Sequence, residues 1–209
     1  MSRAAVVYVH GLWHQGPESW LLARRLAADF DFQGYHYASV TTPMAEVCAG
    51  LRAFVARIDA PVVHFIGHSL GGIIIHRYLG ESAPPQPGRV VLLGAPMGGS
   101  AVAVAAAPHG WIRRLMGRGV EEELLAPRAR RWTDARPLGL IAGTFGVGLA
   151  PLFTRFDEPN DGVVALSETR VPGASGHITV HATHFGLLLS VPAARQASAF
   201  LREGKFEAL

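Results

Sequence analysis

The stretch "FIGHSLGGIIIH", residues 65–76, decides how this chain is read. An apolar run leads into Gly67-His68-Ser69-Leu70-Gly71, and a second apolar run with helical spacing follows. A strand that turns at once into a helix brings the two elements close together just before and just after the turn. Side chains at those places would collide, and Gly67 and Gly71 have none. The serine between them is forced into a sharp, strained turn that lifts its hydroxyl out at the carboxyl end of the strand. The next amide, that of Leu70, opens a helix, where negative charge is favoured.

The same alternation runs outward from this turn. Residues 4–9, 34–40, 62–66, 89–93, 138–142 and 178–182 read as strands, and "VVHFI" and "RVVLLG" are almost wholly apolar. Such runs are the mark of strands buried on both faces, as in a parallel sheet covered by helices. Helical spacing fills the intervals at residues 17–30, 44–58 and 70–81, and again at 195–204, where Gly204 is a natural stop. In the first of these, Trp20, Leu21, Ala23, Leu26 and Ala27 form the expected apolar face. The fold class is therefore α/β, with a mostly parallel sheet of about six strands and helices on both faces. One domain over residues 1–209 is expected. Two segments break the rhythm. Residues 97–136 contain "GWIRRLMG" and "VEEELLAPRARRW", which read as two short helices that would serve as a small lid or pack as surface helices. Residues 143–176 are rich in glycine and proline, and long connections of this kind are usually functional.

Composition narrows the class of protein. Of the 209 residues, 49% are hydrophobic, enough for one well-buried core. The net charge is +3 and its bases are scattered arginines, with Lys205 the only lysine, so no nucleic-acid partner is expected. A single cysteine, Cys48, rules out an internal disulfide framework and reads as a buried structural thiol. No signal peptide or membrane-spanning run is visible, and a cytoplasmic location is the expectation.

A serine hydroxyl is a weak nucleophile until a base takes its proton, and an oriented histidine is the usual base. Acyl transfer also needs donors aimed at the developing oxyanion. In "VYVHGLW", residues 7–13, Gly11 lets the chain turn so that the Leu12 amide points toward the serine, and Leu12 and Leu70 would supply the two backbone N–H groups. His10 reads as a structural hydrogen-bonding residue. In "EPNDGVV", residues 158–164, Asp161 sits in a turn-forming cluster, with Asp157 as its nearest rival. Near the end, His177, His181 and His184 compete for the role of base. His184 is favoured because it follows the last strand, on the loop from which a base could reach the serine. Three histidines in eight residues also suggest a metal site, but they divide between strand and loop with no acidic partner nearby, so no metal is expected. No organic cofactor is needed either. Leu12, Trp13, Met97, Trp111, Leu115 and Phe185 are candidates for an apolar pocket near the serine.

With these residues in place, the chain resembles a small α/β-hydrolase of the lipase/esterase superfamily, close to compact bacterial esterases and class 2 lipases with little or no cap. The resemblance runs from "VYVHGLW" through "GHSLGG" and "LLGAPMGGS" to "PNDGVV" and "THFGLLLS". It implies Ser69 as nucleophile, Asp161 and His184 as its relay, and the Leu12 and Leu70 amides as the oxyanion hole. Met97 stands where a related lipase segment often carries histidine, which leaves no polar role there. The implied reaction is cleavage of a small-molecule carboxylic ester through an acyl-enzyme. Thioesterase, amidase and acyltransferase chemistry use the same parts, and a non-catalytic binding protein of this fold is the remaining alternative.

Overall fold

The computed structural model describes residues 3–15, 17–125 and 130–208. Six strands form one sheet: β1 (Ala5–Val9), β2 (Asp31–Tyr35), β3 (Val63–His68), β4 (Val90–Leu93), β5 (Leu138–Gly143) and β6 (Gly176–Val180). Their order is β2-β1-β3-β4-β5-β6, and every pair is parallel. Between them run α1 (Trp20–Leu26), α2 (Met44–Val55), α3 (Leu70–Ser82), α4 (Ala101–Ala106) and α5 (Gly110–Leu124), and after β6 come α6 (Gly186–Leu189) and α7 (Val191–Glu203).

The near-continuous apolar strands are explained by burial on both faces. In β1, Ala5, Val7 and Val9 join one core with side chains of α2, α3, α4 and α5, while Val6 and Tyr8 join a second core with side chains of α1, α6 and α7. The chain runs from β1 out to β2 and then back across to β3, so the order reverses between β1 and β3. In open parallel sheets, the crevice beyond the carboxyl ends at such a reversal is where ligands bind.

Some element boundaries differ from the sequence reading. The second strand is Asp31–Tyr35 rather than 34–40. It is an edge strand, paired only with β1 and half-buried, so it lacks the apolar signal that marks the central strands. The aromatic and β-branched residues after it form a turn instead, in which the Thr42 amide donates to the Ala38 carbonyl at 3.0 Å. Trp20 opens α1 but is largely exposed, and Leu22 and Leu26 carry the buried face. The 97–136 region holds short α4, which the sequence reading did not separate, and then α5, in which two helical stretches meet at a non-helical Gly117 (φ 76°, ψ 173°). The last four residues of the "VEEELLAPRARRW" reading before Arg130 include 126–129, which lie outside the described residues. The final helix starts earlier than expected: the Ser190 hydroxyl accepts from the Ala193 amide (3.2 Å), and Pro192 sits in the first turn. It ends where Gly204 turns left-handed at φ 78°. No helix among the described residues is long and apolar enough to cross a membrane.

Candidate active site

The turn after β3 has the shape its glycines require. Ser69 adopts φ 54°, ψ −123°, a conformation that L residues avoid and that costs about 1–3 kcal/mol. It is held by its own amide, which donates to the Leu93 carbonyl (3.0 Å), and by the Gly72 amide, which donates back to the Ser69 carbonyl (3.0 Å). A Cβ on Gly67 would lie 2.6 Å from the Gly72 Cα, and one on Gly71 would lie 2.0 Å from the Val9 carbonyl oxygen. The helix therefore packs against β3 and the end of β1 at backbone distance.

At the end of β1, a Cβ on Gly11 would stand 2.9 Å from the Ser69 Cβ, so the 11–13 loop lies directly beside the serine. Trp13 is left-handed (φ 61°), and its amide is fixed by the Ser39 hydroxyl at 3.0 Å. Among the described residues, no protein acceptor takes the Leu12 or the Leu70 amide. His10 is buried, donates from Nδ1 to the Gly11 carbonyl (2.8 Å) and accepts the Tyr37 amide at Nε2 (3.3 Å), so both ring nitrogens are spent on the loop. Its burial pushes its pKa down.

Asp161 is fully buried on the long connection after β5. One carboxylate oxygen accepts the Val163 and Val164 amides (2.9 and 2.7 Å), and the other meets His184 Nδ1 at 2.7 Å. The His184 amide donates to the Asp161 carbonyl (2.8 Å), which locks the two residues together through backbone as well as side chain. With Nδ1 donating to the carboxylate, Nε2 keeps its lone pair. Room for the pair comes from two glycines: a Cβ on Gly94 would lie 3.0 Å from Asp161 Oδ2, and one on Gly143 would lie 2.7 Å from the Asp161 Cβ. The rival residues are elsewhere. Asp157 is exposed, His177 pairs with the Thr169 hydroxyl (2.9 Å), and the His181 ring rests on Phe145.

Two further imidazoles stand beside His184, and the sequence reading missed both. His68 is buried, and its Nε2 donates to the His184 carbonyl at 3.0 Å. Its ring lies 4.8 Å from that of His184 and 5.4 Å from the nearly parallel ring of His14. Burial pushes both pKa values down, His68 most of all, so neither adds a positive charge beside His184 near neutral pH. His14 Nδ1 is 3.7 Å from the Glu18 carboxylate. The only hint in the sequence was histidine density around the two loops.

Ser69, His184, Leu12 and Leu70 open onto one cavity of about 500 Å³. Its deep wall is apolar, built from buried Val102, Ala103, Ala106, Met116 and Leu124. Trp13, Trp111 and Phe185 line it as expected. Met97 does not: it is fully buried in the core behind the site, with its carbonyl taken by Arg130 (3.2 Å). The side chain of Leu115 lies outside the described residues. Two of the polar lining groups are already used locally, Ser100 as the cap of α4 and Thr183 as acceptor for the Gly186 amide. No acidic side chain, lysine or arginine lines the cavity among the described residues. The arrangement offers a strained hydroxyl, an imidazole backed by a carboxylate, two unengaged amides and an apolar recess.

Comparison with known proteins agrees with this architecture. The chain belongs to the alpha/beta hydrolase family, whose model matches residues 6–201. Among solved structures it is similar to a Bacillus licheniformis lipase, BlEst2, in its propeptide form (TM-score 0.73, 21% identity), covering 99% of this chain and 51% of that one. It thus spans about half the length of that lipase. The phospholipase PlaB from Legionella pneumophila in complex with thio-NAD matches with TM-score 0.67 and 15% identity over 93% of this chain and 56% of that one. The thioesterase RedJ from the prodiginine biosynthetic pathway in Streptomyces coelicolor matches with TM-score 0.58 and 13% identity over 96% and 85%. At these identities the likeness is one of fold. A search of curated proteins gave no match.

Proposed function

We propose that this protein is a serine hydrolase that cleaves carboxylic esters through an acyl-enzyme, with Ser69 as nucleophile, His184 as general base and Asp161 as its orienting carboxylate. The observation that carries the reading is the 2.7 Å bond between His184 Nδ1 and Asp161, at the edge of the cavity into which the Ser69 turn opens. His184 Nε2 takes the Ser69 proton as Oγ attacks the ester carbonyl, and the Leu12 and Leu70 amides hold the oxyanion. His184 then protonates the leaving alcohol. Water, deprotonated by the same imidazole, releases the acid. The apolar wall holds the acyl chain, and residues 97–136 act as a small cover over it within a single domain.

A fluorophosphonate probe tests the nucleophile: capture is expected in the intact protein and lost in Ser69→Ala. No capture by the intact protein would make it a binding module of this fold. His184→Ala should lower turnover of p-nitrophenyl butanoate by orders of magnitude, while His181→Ala leaves it within about twofold; the reverse pattern would overturn the choice of base. Thioester and amide analogues in the same assay decide the bond class.

A further inference from the structure

The cavity holds a second imidazole that faces a carboxylate, and the acyl-transfer chemistry does not use it. Among the described residues, Ser69 and His184 are the reacting pair, His68 Nε2 is taken by the His184 carbonyl, and Ser100 and Thr183 are bonded within their own turns. His14 also lines the cavity, and nothing among the described residues hydrogen-bonds to its ring. Stacking holds it instead: the His68 ring lies nearly parallel at 5.4 Å, and Phe185 meets it edge-on at 5.6 Å. His14 Nδ1 is buried and faces the Glu18 carboxylate at 3.7 Å, a carboxylate that also accepts the Tyr8 hydroxyl (3.4 Å). That carboxylate would repel a lone pair on Nδ1, so the ring proton belongs there and Nε2 keeps the lone pair. Burial lowers the His14 pKa, which leaves Nε2 unprotonated near neutral pH. With Nδ1 turned into the protein, Nε2 is the nitrogen left for a ligand, and it accepts from an O–H. Its place decides which part of a substrate meets it. His14 stands at the His184 edge of the cavity, one ring removed through His68 and against Phe185, the residue after the base. His184 hands its proton to the leaving oxygen, so the leaving group lies at that edge, away from the apolar wall that takes the acyl chain.

We propose that His14 is a specificity residue whose Nε2 accepts a hydrogen bond from a second, free hydroxyl on the leaving alcohol, so that the site prefers esters of hydroxylated alcohols to esters of simple alkanols. This deepens the ester-hydrolase reading and rests on it. An alkyl leaving group covers His14 and leaves its lone pair without a partner, a penalty that a hydroxyl at the same place removes.

The test compares two esters of nearly equal size, hydroxyethyl butanoate and propyl butanoate, in the wild type, His14→Phe and His14→Gln. The readout is the ratio of their kcat/KM values, divided by the ratio of their alkaline hydrolysis rates to remove intrinsic reactivity. A general loss of activity in a variant cancels in this ratio. The wild type should favour the hydroxylated ester about fivefold, the effect of one ordinary hydrogen bond. Phenylalanine keeps the stacking but has no acceptor, and its ratio should fall to about one. Glutamine restores an oxygen acceptor and should hold the ratio above about two. The proposal is overturned by a wild-type ratio near unity, by an unchanged ratio in His14→Phe, or by a ratio in His14→Gln as low as that in His14→Phe. An unchanged ratio in His14→Phe would leave His14 as packing, or as the seat of a water common to both esters. Failure of the ester-hydrolase reading is a different result, no turnover of either ester and no fluorophosphonate capture, and the proposal falls with it.

Discussion

At the residue scale, backbone proximity governs the site. Gly67, Gly71 and Gly11 are where β3, α3 and the loop after β1 approach within the radius of a methyl group. Gly71→Ala should therefore destabilise the fold by about 3 kcal/mol or more, because its Cβ would lie 2.0 Å from the Val9 carbonyl and neither element can yield without moving the sheet. Urea unfolding measures this, and a midpoint unchanged from the wild type would refute it. Gly67 was legible because its collision is local in sequence, against Gly72 just beyond the turn, whereas Gly71 meets Val9 and Gly11 meets Ser69, close approaches that arise only once β1 and β3 lie side by side. Gly94 and Gly143 were not legible. Each makes room for Asp161, and the need arises only once β4, β5 and the 161 loop are side by side.

At the element scale, the α4–α5 segment that lines one side of the cavity is fastened at its ends. The Ser100 hydroxyl caps α4, and the Glu168 carboxylate accepts the Ala101 and Ala165 amides, joining α4 to the loop that carries Asp161. At the far end of α5, Glu123 is buried between Arg77 (3.0 Å) on α3 and Arg130 (3.2 Å). Between these ends, α4 presents small side chains to the cavity, and this sets its depth. Ala106→Leu should reduce turnover of a dodecanoyl ester about tenfold or more while a butanoyl ester stays within about twofold, since methylenes in an apolar pocket discriminate by one to two orders of magnitude. A ratio of the two rates equal to that of the wild type would show that the chain lies elsewhere. Two short helices were expected here. The structure has two helical stretches that meet at Gly117, whose φ of 76° and ψ of 173° are not helical and where a Cβ is excluded by the Val40 carbonyl only 2.3 Å away.

At the scale of the whole molecule, a chain with ten histidines buries several of them uncharged. His64 is the clearest case. Burial depresses its pKa to about 4, and its Nδ1 accepts the Arg89 amide at 3.0 Å, a bond that protonation there would remove. The folded pKa lies below the ordinary value of about 6.5, so its contribution to stability is complete above that pH and is lost as pH falls toward 4. Between pH 7 and 4.5 the loss should be on the order of 2–3 kcal/mol. Thermal melts of wild type and His64→Gln at the two pH values should show a smaller acid shift in the variant. Equal shifts would assign acid sensitivity to other groups.

The amino-acid order alone determined the α/β class, the parallel character of the buried strands and the strained turn at Ser69. Each of these follows from periodicity or from collisions between neighbouring residues. It also placed Asp161 and His184 on loops beyond strand ends, but left Asp157, His177 and His181 in competition with them. Only the tertiary structure decided which carboxylate meets which imidazole, set His68 and His14 beside that pair, and moved Met97 into the core. Those outcomes depend on the order in which strands lie across the sheet. Pairing β5 with β6 brings residues 161 and 184 within 2.7 Å across 22 intervening positions, a proximity that no local pattern encodes.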